Sequence, residues 1–220
     1  MNGCALALLI AACSGDKPRA PGPIAEPKPT QAHELCITNG TVGAPAVRGY
    51  ARGSTGDSAT LAFTYDGVTA TTSALASGAT RAQLGLKLRA QNSCNVIYVM
   101  WRVSPKSEIT VQVKANPGSA THEDCGITGY TRVKAAVRKP PPALEPNTQH
   151  TLAAAIERDE LVVWADHEVV WRGTLPAPAR NLTGPAGFRI DNVKAKVSLD
   201  GVTLANAIAR SECLKPQSED

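Results

Sequence analysis

The chemistry this chain can support sits on aromatic and basic side chains at alternating positions. Trp164 ends the run Leu161-Val162-Val163-Trp164, and Trp171 ends Val169-Val170-Trp171. With tight turns at Arg158-Asp159 and Asp166-His167, Ile156 falls opposite Leu161 and Ala154 opposite Val163, a set that belongs in a core together with Leu152. Val162 and Trp164 then point the other way, and the second turn predicts Val169 and Trp171 on that same non-core face. Two indoles side by side can stack on the C–H face of a pyranose while their N–H groups stay wet. The alternative is that a loop, such as the Pro140–Pro146 connector, covers this face and buries both rings. A second set comprises Lys87, Arg89, Arg102, Lys114, Arg132 and Lys134, interleaved with Tyr98 and Tyr130. On neighbouring strands these residues would form a cationic, aromatic surface suited to an anionic glycan or lipid headgroup, through charge-assisted bonds. On separate strands they are solvated faces that keep sheet edges from pairing. Trp164, Trp171, Tyr98 and Arg102 are the ligand-contact candidates.

Acid–base and metal chemistry are poorly provided for. A glycosidase needs a general acid and a nucleophile about 5 Å apart across one bond, and the only acidic cluster in a strand context, Glu157, Asp159 and Glu160, lies in a turn with the wrong parity. His122-Glu123-Asp124, beside Cys125, has the residue types for a metal or an acid–base pair but sits in a Gly/Pro-rich loop. His150, Asp166 and His167 are scattered turn or surface positions. No Gly-x-Ser-x-Gly, phosphate loop, dinucleotide fingerprint or zinc-protease motif occurs. The sequence therefore assigns no catalytic residue, no metal ligand and no cofactor, leaving only a loop calcium open.

The elements that must position these groups are short strands. The 220 residues are 43% apolar with a net charge of +4, too mild and dispersed to argue for nucleic acid. Composition excludes collagen, coiled coil and a wholly disordered chain. Leu84, Leu86 and Leu88 alternate with Gly85, Lys87 and Arg89, and Ile97, Val99, Trp101 and Val103 alternate with Tyr98, Met100 and Arg102. Ile109, Val111 and Val113 continue the pattern, Tyr130 to Val137 reads as one more strand, and Asp66-Gly67 reads as a type I′ hairpin turn. Only Leu204 to Arg210 is an ambiguous helix. Many short strands in about 180 residues predict an all-β, two-sheet antiparallel sandwich or barrel.

The amino terminus differs from the rest. Ala5 to Ala12 is an uncharged apolar run too short to span a bilayer, and it ends Ile10-Ala11-Ala12-Cys13. This resembles the lipobox of bacterial lipoproteins, which implies cleavage before Cys13 and lipid attachment to it. Five prolines between Asp16 and His33 favour polyproline II and forbid a packed element. Ser14 after the Cys resembles the outer-membrane sorting pattern. The expected organisation is a signal peptide over 1–12, a lipidated Cys and disordered Pro-rich tether over 13–33, a β-sandwich over 34–214 and a disordered tail over 215–220. Export permits disulfides among the four remaining cysteines. Of three possible connectivities, Cys36 with Cys213 and Cys94 with Cys125 is favoured, because the first pair ties the two ends of the domain together.

The segments HTLAAAIERDELVVWADHEVVW and GPAGFRIDNVKAKVSLDGV resemble the closing strands of concanavalin A-like jelly-roll domains, the superfamily of laminin G-like modules, legume-type lectins, glucanases and keto-disaccharide hydrolases. His167 departs from the pattern, standing where those families have Gly in the tight turn. The resemblance implies a jelly-roll fold more strongly than a function. The resulting expectation is a monomeric envelope lipoprotein at the outer membrane that binds a polysaccharide or other envelope polymer without chemistry of its own, touching the membrane only through its lipid. The rival expectations are a glycoside or keto-disaccharide hydrolase-like enzyme and a laminin G-like protein-binding or structural module.

Overall fold

The computed structural model describes residues 22–29, 34–41 and 43–208. The proposed lipidation site Cys13, the signal segment, the tail and Cys213 lie outside the described residues. The first strands are β1 (Glu34–Asn39), β2 (Ala46–Arg52), β3 (Ser58–Val68), β4 (Ala82–Leu88), β5 (Val96–Ser104) and β6 (Glu108–Lys114), followed by the four-residue helix α1 (His122–Cys125). Next come β7 (Tyr130–Arg132), β8 (Val137–Arg138), β9 (Gln149–Glu157), β10 (Glu160–Ala165) and β11 (Glu168–Thr174), and the chain closes with β12 (Gly187–Asp191), β13 (Val193–Leu199) and β14 (Val202–Thr203). They form two antiparallel seven-stranded sheets, β1-β2-β12-β4-β5-β6-β7 and β14-β13-β3-β9-β10-β11-β8. The result is an all-β jelly-roll sandwich.

Period-two alternation sets the core. Leu84, Leu86 and Leu88 of the first sheet face Leu61, Phe63, Leu152 and Leu161 of the second, all essentially without solvent exposure. Phe63 meets Trp101 edge-on across the interior, with ring centroids 5.7 Å apart. Ile156 pairs with Leu161 and Ala154 with Val163, the register that the turn at Arg158-Asp159 predicts. Asp166 and His167 both have positive φ, 48° and 69°, so the tight turn forms without a glycine.

Four sequence expectations change. Asp66-Gly67 makes no hairpin. It lies inside β3, where Tyr65 pairs with Ala195 and Gly67 with Lys194, leaving Asp66 as the extra residue of a bulge. Tyr130 to Val137 is not one strand but two, because the chain crosses from β7 in the first sheet to β8 in the second. Leu204 to Asn206 is a single 3₁₀ turn. The Pro-rich tether is packed in part: Ile24 joins Ala153, Ala155, Val162 and Trp164 on the outer face of the second sheet, Pro27 O accepts from Thr60 Oγ1 at 3.1 Å, and Glu26 lies 3.2 Å from His167 Nδ1. Proline excludes a regular element here, but an extended segment can still dock on a ready-made apolar face.

Cys94 and Cys125 form a disulfide. Cys36 is also disulfide-bonded, and Ile208 runs beside it in a parallel bridge, its N–H donating to Leu35 O at 2.8 Å. The chain's last described residue therefore lies next to its first strand.

Candidate functional site

The two tryptophans do not share a face. A bulge in β11 shifts the register so that Trp164 pairs with Val169 while Trp171 pairs with Val163. The extra residue, Val170, turns Trp171 inward, where it is 2% exposed in the main core. Trp164 does lie on the outer face of the second sheet, but it is 5% exposed beneath Ile24. The cover is the amino-terminal segment rather than the Pro140–Pro146 connector. No two-indole platform exists.

The outer face of the first sheet gathers the chemistry instead. Strands β2, β12, β4, β5 and β6 are successive neighbours. One row across them reads Arg48, Arg189, Gly85, Met100 and Thr110, and the next reads Tyr50, Gly187, Lys87, Tyr98 and Gln112, ending on Arg132 of β7. A third row holds Asp191, Gln83, Arg102 and Glu108. Gly85 and Gly187, at the centre of the face, are both buried. A Cβ at Gly85 would sit 2.1 Å from Val99 O, and one at Gly187 2.4 Å from Gly49 O; the neighbouring strands come too close for any other residue.

Asp191 organises this surface. Its carboxylate is 2% exposed and accepts from Arg48 on Oδ1 and from Gln83 Nε2 and Arg189 Nε on Oδ2, both at 2.7 Å. The Arg189 guanidinium thereby lies 5.2 Å from the centroid of the Tyr98 ring, and Tyr98 stacks on Tyr130 with centroids 6.2 Å apart. Burial, reinforced by Tyr130, pushes the Tyr98 hydroxyl up to about 12. Tyr98 is almost covered, whereas Tyr130 is exposed and offers its ring to solvent. Lys114 is 1% exposed beside that ring, and its ammonium donates to Gly126 O at 2.8 Å and Ser93 O at 3.2 Å.

Arg102, half-buried, donates to Glu108 at 2.5 Å, and Glu108 also holds Arg132 at 3.6 Å and Arg138. Of the cationic set, Lys87, Arg102, Lys114 and Arg132 share this face with both tyrosines. Arg89 leaves it to pair with Asp57 at 2.6 Å, and Lys134 lies on the crossing segment, lining an edge cleft of about 430 Å³ with Arg132, Arg138 and Trp171. Arg48, Arg189 and Asp191 were not singled out from the sequence. The signal for two of them is present, since Phe188-Arg189-Ile190-Asp191 alternates core and charge.

The loop carboxylates have structural roles. Asp124 accepts from Thr121 N and Oγ1 at 2.9 and 2.8 Å, closing a capping box that holds its carboxyl below the usual range. His150 lies in the core with Nδ1 2.8 Å from Asp166 and its ring near Phe63 and Trp101. Among the described residues, no group of three or more His, Cys, Asp or Glu could hold a metal ion. No helix among them is long and apolar enough to cross a membrane. The site supplies guanidinium and ammonium donors, one open aromatic ring, and two carboxylates, each already held by arginines.

This architecture defines a jelly-roll β-sandwich with one outer face dressed in donors and aromatics and the other covered in part by residues 22–29. The same fold is found in the carbohydrate-binding module CBM66 from Bacillus subtilis, at 12% identity and a TM-score of 0.51, with 78% of this chain and 96% of that one aligned. A tetrameric galectin from the ball sponge Cinachyrella sp. aligns over 70% of this chain and 97% of its own at 12% identity and a TM-score of 0.43. Domain 4 of the arabinanase AbnA from Geobacillus stearothermophilus, solved with arabinotriose, aligns over 72% and 66% at 8% identity and a TM-score of 0.40. No protein-family model and no curated protein matches the chain.

Proposed function

We propose that this domain binds carbohydrate on the outer face of the first sheet, across the surface formed by Arg48, Arg189 and the Tyr98–Tyr130 pair. The observation that carries the reading is the placement of fixed guanidinium donors beside an exposed aromatic ring on one sheet face. Sugar recognition needs this combination, because the ring takes the C–H face while charged donors take the hydroxyls. The fold shared with a carbohydrate-binding module supports it. Trp164 and Trp171 contribute packing, not contact, and Tyr98 acts through Tyr130 and Arg189, which it positions. Two features of the wider reading rest on the sequence alone. One is that Cys13 carries lipid and holds the domain at the outer membrane of a bacterial envelope. The other is that the bound polymer belongs to the envelope.

The test is retention of the soluble domain in gels containing neutral and anionic polysaccharides, beside Tyr130→Ala and Arg189→Met. Each variant is expected to weaken retention by about tenfold, the worth of one stacking contact or charged hydrogen bond. Retention unchanged in both would move the ligand off this face. Labelling with radioactive palmitate, lost in Cys13→Ser, checks the anchor.

A further inference from the structure

We propose that Lys87, set beside Arg48 and Arg189, is a subsite for an anionic substituent, a carboxylate or a sulfate, on the bound sugar chain. The inference rests on the carbohydrate reading and narrows it to acidic polysaccharides.

Lys87 lies on the outer face of β4, half-buried, with Tyr98 as its neighbour on β5 and Gly187 on β12. Among the described residues, no carboxylate or carbonyl pairs with its ammonium; the charges that face it are Arg48 and Arg189, with Tyr98 beside them. The carboxylate that holds those two arginines, Asp191, already has Oδ1 on Arg48 and Oδ2 on Gln83 and Arg189. Arg48 and Arg189 thus share one saturated anion, and Lys87 faces them with no anion of its own among the described residues. Like charges brought together in a partly desolvated recess repel, and that cost is relieved by a counter-anion.

Lys114 makes the contrast. It is more deeply buried, yet its ammonium is satisfied by two carbonyls, so it has a structural explanation and Lys87 does not. Burial and the two arginines lower Lys87 to about 8, so it is still charged at neutral pH. Farther along the face, Arg102, Lys114 and Arg132 outnumber Glu108, which continues the positive field along the path of a chain.

The experiment uses polymer pairs that differ only in charge: polygalacturonate against its methyl ester, and dextran sulfate against dextran. At pH about 6.5 the wild-type protein is expected to bind the charged member about tenfold more tightly, the worth of one charge-assisted contact. The preference is expected to collapse in Lys87→Met and to survive in Lys196→Met, an exposed lysine on the second sheet. The two pairs distinguish carboxylate from sulfate. Equal binding of charged and neutral members overturns the anionic subsite and leaves carbohydrate binding intact. An equal loss in both lysine variants overturns it in favour of diffuse charge. Binding of no polymer overturns the parent reading, and the subsite is then judged alone by NMR titration of the lysines with inorganic sulfate. A selective rise in the pKa of Lys87, absent at Lys196, sustains it, and no shift at Lys87 refutes it.

Discussion

Asp191 accepts from Gln83 and from two arginines while almost wholly buried, so its charge organises the outer face of the first sheet. Removing it as Asp191→Ala leaves two guanidinium groups partly desolvated without their counter-charge. Loss of one partner from such a network costs about 3 kcal/mol, and urea unfolding should register that loss together with weaker polysaccharide retention. Lys87 behaves in the opposite sense. Its folded pKa, about 8, lies below the ordinary 10.5, so between those values the unfolded chain binds more protons and stability rises with pH. Arg48 on β2 and Arg189 on β12 stay charged throughout this range, and Tyr98 on β5 stays neutral, so the change belongs to Lys87. Relative to Lys87→Met, the wild-type protein is expected to gain stability from pH 8 toward 10.5, read as the difference in urea midpoints.

At the scale of the element, alternation made the strands legible and bulges made their consequences illegible. The pairing of Ile156 with Leu161 followed from the turn at Arg158-Asp159, and the outward set of Lys87, Tyr98 and Arg102 followed from the leucines and valines opposite them. One inserted residue, Val170, reversed the side on which Trp171 lies; nothing in Val169-Val170-Trp171 marks which valine is extra, because the choice depends on tertiary packing. The Asp66-Gly67 pair misled for a related reason: its glycine serves a bulge inside β3, not a turn. The prolines before residue 30 predict an unpacked tether, yet residues 22–29 pack, because proline content says nothing about the apolar face on which Ile24 docks. Deleting residues 1–29 should uncover Trp164 and shift tryptophan emission to longer wavelength, a shift that Trp164→Phe abolishes. Since Trp101 and Trp171 are in the main core, an unchanged spectrum would mean that the segment leaves Trp164 exposed in solution.

At the scale of the whole molecule, the fold was legible and the site only in part. Charges that act together here come from strands far apart in sequence: Arg48 and Asp191 are 143 positions apart, and no local pattern joins them. The Cys94–Cys125 bond closes a loop of separation 31 that holds α1, Gly126 and Tyr130 against the end of the candidate face. In the chain-entropy model such a closure is worth about 3–4 kcal/mol, so the Cys94→Ser, Cys125→Ser double variant should lose that much stability in urea unfolding. It should also bind polysaccharide less tightly if Tyr130 needs the loop to hold its place.

Residues 22–29 cross the outer face of the second sheet, and the cationic face is the outer face of the first. The sandwich thus has a back that its own chain occupies and a front that this segment leaves alone, like a palm turned away from the wrist. A ligand on the front does not compete with residues 22–29 for surface.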